Sequence, residues 1–79
     1  MSYKRIQKRL SVNLWQIRTE RGLTQEQMAA RCGMATQQYS KIESGQANLT
    51  LATIAHLVDR LDVDVADLFA PLPRKNARG

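Results

Sequence analysis

The sequence predicts an all-α domain of five short helices, on three observations. Apolar residues recur at spacings of three and four, the period of a helix that buries one face. Glycines and small polar caps punctuate those runs at short intervals. No stretch alternates apolar and polar residues as a half-buried strand would. The chain has 79 residues, the length of one domain. A domain this small buries only about 60% of the surface its unfolded chain exposes. Its core is therefore modest, and either close helix packing or a second subunit must supplement it.

Ile6, Leu10, Leu14 and Ile17 set the first helix, from about residue 3 to Arg21, and Gly22 stops it. Thr24 opens a second helix, and Gln27 completes a capping box with it. Met28, Ala29 and Cys32 face inward, and Gly33 ends that helix after barely two turns. A third helix runs from about Thr36 to Ser44 with Tyr39 and Ile42 inward, and Gly45 closes it. After a polar loop, "GQANL", Thr50 caps a fourth helix whose apolar positions are Leu51, Ile54, Ala55, Val58 and Leu61. A turn at Asp62 leads to a last helix, Val65 to Phe69. These elements make a domain over residues 1–70. Residues 71–79, "PLPRKNARG", hold two prolines and read as a flexible basic tail.

Composition excludes several function classes. Hydrophobic residues are 43% and charged ones 24%, ordinary for a globular protein. No apolar run is long enough to span a membrane. The basic start, "MSYKRIQKRL", lacks the apolar segment of a secretory signal, so a cytoplasmic location is expected. Cys32 alone makes no internal disulfide and no cysteine metal site, and it reads as a small core residue. His56, the single histidine, falls off the apolar stripe of the fourth helix and reads as solvated or at an interface. Ser40 and Ser44 have no nearby base to activate them, so an enzyme is not expected. No cofactor or metal is implied.

The net charge of +5 is unevenly placed. Residues 1–41 carry eight Lys and Arg against Glu20 and Glu26, whereas Asp59, Asp62, Asp64 and Asp67 face Arg60 alone. One end of the molecule attracts a polyanion and the other does not.

The second and third helices, two short amphipathic segments joined by a turn with Gly33, describe a helix-turn-helix. Ala29 is small where the helices must cross. At about 100° per residue, Ala35, Tyr39 and Ile42 share one side of the third helix. Gln37, Ser40, Lys41 and Ser44 occupy the other, flanked by Thr36 and Gln38. That outer face has one positive charge, no negative charge and several short donors and acceptors. It suits the DNA major groove, where base edges present donors, acceptors and the thymine methyl.

The stretch "RTERGLTQEQMAARCGMATQQYSKIESGQANLTLATIAHLVDRLDVDVADLF", residues 18–69, resembles the lambda-repressor-like (Xre, Cro/repressor type) helix-turn-helix domains. The resemblance rests on "RGLTQEQMA", a glycine four residues on, "YSKIESG" and "LDVDVADLF". It implies that Thr36, Gln37 and Lys41 contact bases, with Gln38 and Ser40 on bases or backbone. It places Gln25, Ser44 and Asn48 on the DNA backbone, and pairs Arg18 with Glu43 as a structural ion pair. The sequence departs from the pattern at three positions. Ala35 stands where a Ser or Thr cap is usual, which shifts the expected cap to Thr36. Leu49 replaces a frequent proline. Trp15 replaces an exposed polar residue, either to pack against the C-terminal segment or to meet a partner.

The expected function is a sequence-specific transcription regulator, a repressor acting on double-stranded DNA. A homodimer paired through Val63, Val65, Leu68 and Phe69 would read a near-palindromic operator. The alternatives are a restriction–modification controller, an antitoxin-type autoregulator gripping a toxin, and a protein-interaction module without DNA binding. Activation would require polymerase as a protein partner.

Overall fold

Short helices need their ends satisfied, because four N–H and four C=O groups at each helix lack internal partners. The computed structural model, which describes residues 2–72, closes these ends mostly within the chain. The helices are α1 (Tyr3–Glu20), α2 (Gln25–Arg31), α3 (Thr36–Glu43), α4 (Leu51–Leu61) and α5 (Val65–Leu68). There is no strand among the described residues. Ser2, not foreseen from the sequence, caps α1 by accepting the Arg5 N–H. Thr24 and Gln27 form the expected capping box of α2, Thr50 accepts the Thr53 N–H, and Asp64 forms a second box with Asp67.

The C-termini of α1, α2 and α3 end alike. At α2 the Gly33 N–H donates to the Ala30 carbonyl and the Met34 N–H to the Ala29 carbonyl. That pair of bonds needs a left-handed residue, and Gly33 has φ +68. At α4 the same reversal is made by Asp62 at φ 56, followed by a bond from the Val63 N–H to the Val58 carbonyl. A short polar side chain tolerates this conformation better than most.

One core joins all five helices: Leu10 and Leu14 of α1, Met28 and Ala29 of α2 with its cap Cys32, Tyr39 and Ile42 of α3, Leu57 and Leu61 of α4, and Leu68 of α5. Burial pushes the Cys32 thiol pKa up, which suits a packing role. The expected stripe on α4 is wrong at one edge. Leu51 is 84% exposed and Ala55 is exposed, while Leu57, left out of the stripe, is fully buried. Leu51 opens the helix, where the chain has only just left the loop, so the inward face centres on Ile54, Leu57, Val58 and Leu61. Ile6 is also exposed, because the core begins one turn further along α1.

Beyond α5 the chain turns back along α1. The Asn13 amide donates to the carbonyls of Leu68 and Ala70, and Pro71 and Leu72 lie beside Arg5, Lys8 and Arg9. The rest of the expected tail lies outside the described residues. Among the described residues, no helix is long and apolar enough to cross a membrane.

Gly22 and Gly33 place the same left-handed turn in two surroundings. At Gly22 (φ +68) a Cβ would meet nothing within 4 Å, whereas at Gly33 it would sit 3.1 Å from the Arg60 guanidinium. Arg60 is exposed and has no ion pair among the described residues, so its side chain can swing aside. Both Gly22→Ala and Gly33→Ala should therefore cost about 1–2 kcal/mol from backbone strain. Urea denaturation of the two variants checks both the magnitude and the near-equality.

Candidate nucleic-acid interface

The face of α3 is set from behind by a buried carboxylate. Glu43 is only 7% exposed, yet both of its carboxylate oxygens accept hydrogen bonds. Arg18 of α1 reaches it through Nε at 3.1 and 2.9 Å and through its terminal nitrogen at 2.8 Å. The other terminal nitrogen of Arg18 donates to the Leu23 carbonyl at 2.9 Å. Gln25, at the start of α2, donates to Glu43 at 3.1 Å, and the Tyr39 hydroxyl donates from one turn earlier on α3. Arg18–Glu43 is the only ion pair among the described residues.

Burial on its own would raise the Glu43 carboxyl pKa, but the bonds from Arg18, Tyr39 and Gln25 outweigh it and hold the group below its ordinary value. Burial, and then the bond to Glu43, raises the Tyr39 hydroxyl, so it stays protonated and serves as a donor.

With Tyr39, Ile42 and Glu43 turned inward, α3 presents Thr36, Gln37, Gln38 and Lys41 to solvent, with Ser40 half-buried among them. Among the described residues, no internal hydrogen bond occupies the side chains of Thr36, Gln37, Gln38 or Lys41. Their donors and acceptors are therefore free for a ligand. The cap did not move to Thr36 as expected. Ala35 keeps the extended N-cap backbone and offers no side-chain bond. Thr36 is already helical and stays on the outer face beside Gln37.

The residues expected on the DNA backbone are held differently. Gln25 spends one amide N–H on Glu43. The Ser44 hydroxyl donates to the Lys41 carbonyl at 3.0 Å. Asn48 accepts from the Tyr3 hydroxyl at 2.8 Å, which leaves its amide N–H groups free. That last bond belongs to a stripe not singled out from the sequence. Tyr3, Gln7 and Ser11 recur every four residues on α1 and bond Asn48, the Ala47 carbonyl (2.8 Å from the Gln7 amide) and the Glu43 carbonyl in turn. They fasten the α3–α4 loop to the first helix. The signal was present as three polar residues at helical spacing beside an apolar stripe.

Two further expectations change. Leu68 is 0% exposed, enclosed by the protein's own core, because the four-residue α5 turns it inward against α1 and α4. It is not available to a second subunit. Val63 and Phe69 pack half-buried against the core, and Val65 is 50% exposed. His56 is exposed but not merely solvated: its Nε2 lies 2.6 Å from the Cys32 carbonyl and closes the end of α2 from α4. Trp15 is 51% exposed.

A short polar-faced helix, crossed by a second at a buried alanine and braced by an internal ion pair, defines a helix-turn-helix of the DNA-binding kind. Residues 16–68 match the helix-turn-helix family HTH_3, and the chain belongs to that family of DNA-binding transcription regulators. A curated relative from Sinorhizobium fredii, the uncharacterized HTH-type transcriptional regulator y4dJ, is 36% identical over 66 residues, 84% of this chain and 86% of its own. The crystal structure of a hypothetical transcription factor, NHTF, from Neisseria aligns with a TM-score of 0.78 at 26% identity, over 92% of this chain and 83% of that one. The restriction–modification controller protein C.AhdI from Aeromonas hydrophila aligns with a TM-score of 0.75 at 29% identity, over 87% of this chain and 100% of that one.

Two predictions follow from the geometry. The Glu43 pKa is lowered on folding, so its contribution to stability is present above the unfolded value, about 4.3, and is lost as pH falls through the folded one. Melting temperature should therefore fall in acid below about pH 4. Glu43→Gln should cost about 3–5 kcal/mol at neutral pH and flatten that acid limb, as read by thermal melts across pH. Ala35→Ser should instead stabilise the fold by about 0.5–2 kcal/mol by supplying the missing cap, measured by denaturant midpoint.

Proposed function

We propose that the protein is a dimeric, sequence-specific regulator that binds a near-palindromic operator in the cytoplasm and represses by occupying a promoter. The observation that carries this reading is the outer face of α3: one cation, no anion, and side chains that no internal bond occupies. Thr36, Gln37 and Lys41 read base edges, and Gln38 and Ser40 adjoin them. Glutamine pairs with an adenine edge in two places and lysine reaches guanine acceptors. Gln25, Ser44 and Asn48 position the domain on phosphates, with residues 1–70 as the binding domain and 71–79 as a basic tail. Two copies meet through exposed Val65 with the edges of Val63 and Phe69. Such a dimer sets its recognition helices about 34 Å apart, one turn of the duplex.

A second reading, a restriction–modification controller, is favoured by the likeness to C.AhdI, which runs over the whole of that protein's chain. Methyltransferase and endonuclease genes beside this one would support it.

The test is a titration against DNA from directly upstream of its own gene, with scrambled DNA alongside, at two salt concentrations. Saturable binding to the upstream DNA alone supports an autoregulatory operator. Gln37→Ala should weaken that site by about 1–3 kcal/mol and leave random DNA nearly unchanged. Equal losses on both would remove base reading from Gln37.

A further inference from the structure

The start of α1 carries charge in a pattern that opposes its own helix. Lys4, Arg5, Lys8 and Arg9 crowd its first two turns, and its first turn holds no acidic residue. Cations are disfavoured at a helix N-terminus, and like charges four apart repel. Lys4 and Lys8 form such a pair. Both are exposed, and neither has a carboxylate within ion-pair distance among the described residues. Arg9 differs, because its guanidinium reaches the Phe69 carbonyl.

These two lysines stand beside the polar stripe that fastens the α3–α4 loop. Lys4, Gln7, Lys8, Ser11 and Val12 form one wall of a groove, and Ser44, Gly45 and Gln46 form the other. Ser44 also ends the outward face of α3, so the groove continues that face past the C-terminus of the helix. All five residues of the α1 wall precede residue 16, where the family match begins.

We infer that Lys4 and Lys8 form a second grip on the DNA backbone, holding phosphates that flank the bases read by α3. This inference rests on the DNA-binding reading. The major groove that receives α3 is about 12 Å wide and is walled by phosphates on both sides. A surface continuous with the end of α3 therefore meets one of those walls. Gln46 supplies an amide donor, Ser44 supplies a second only by releasing the Lys41 carbonyl, and the two ammonium groups supply charge. Contacts of this kind carry no sequence information. They set register and add to the salt dependence of binding. Bound phosphate would also relieve the repulsion that the free protein carries.

The experiment measures affinity for a random-sequence duplex as a function of salt, using the full chain. Each phosphate contact adds about 0.9 to the slope of log affinity against log salt. The double variant Lys4→Gln/Lys8→Gln should therefore lose about 1.8 of slope. Between about 50 and 200 mM salt the wild type should then lose roughly twelve-fold more affinity than the variant. Arg5→Gln, on the flank beside Pro71 and Leu72, should keep the wild-type slope. Without DNA, the double variant should melt at or above the wild-type temperature in low salt. A steep wild-type slope that the double variant retains overturns the inference alone. So does an Arg5→Gln variant that loses as much slope per charge, or a double variant that melts lower. A wild-type chain that ignores the duplex overturns the DNA-binding reading itself.

Discussion

The geometry of the domain depends on the Glu43 carboxylate and the groups that converge on it. Arg18 comes from α1, Gln25 from α2 and Tyr39 from α3, so a single buried anion ties together the first three helices. A buried ion pair is weak evidence for stability, since removing two charges from water offsets most of their attraction. Its value here is directional. Hydrophobic contacts are non-directional and tolerate a small shift of α3 about its axis more readily than hydrogen bonds do. A carboxylate with all its partners fixed does not permit that. The roll of α3 decides which side chains face outward, so this network sets the outer face of α3.

Much of the fold was legible because local chemistry and tertiary structure agree. The capping box at Thr24 and Gln27 and the glycines at 22, 33 and 45 mark helix ends whose bonds are all local. The pairing of Arg18 with Glu43 came from family resemblance, not from any spacing rule, because 25 residues separate them. What escaped was set by the third dimension. Leu51 and Leu57 both fit a helical stripe, and only the packing of α4 decides which is inside. Leu68 looked like surplus apolar surface until α5 turned it into the core. The stripe of Tyr3, Gln7 and Ser11 has an ordinary polar composition. Its meaning lies in the end of α3 and the loop after it, 32 to 45 residues away along the chain.

The two faces of α1 divide the work in a way its composition hides. One edge, through Tyr3, Gln7 and Ser11, is committed to holding the α3–α4 loop. The adjacent edge carries unpaired positive charge that the fold itself does not use. A helix selected for stability alone would place acidic residues in its first turn. Local sequence that contradicts the best choice for folding is a common mark of function.

The division along α3 has a consequence for how such a protein changes over time. Its inward residues carry the packing and the ion-pair network, whereas positions 36, 37, 38 and 41 make no internal bond. Exposed substitutions away from caps and networks usually move stability by less than about 0.5 kcal/mol. New side chains can therefore be tried at these four positions with little risk of unfolding a small domain. If α3 reads DNA as proposed, the target sequence is written in residues that the scaffold does not need, and a lineage can acquire a new operator without first acquiring a more stable protein.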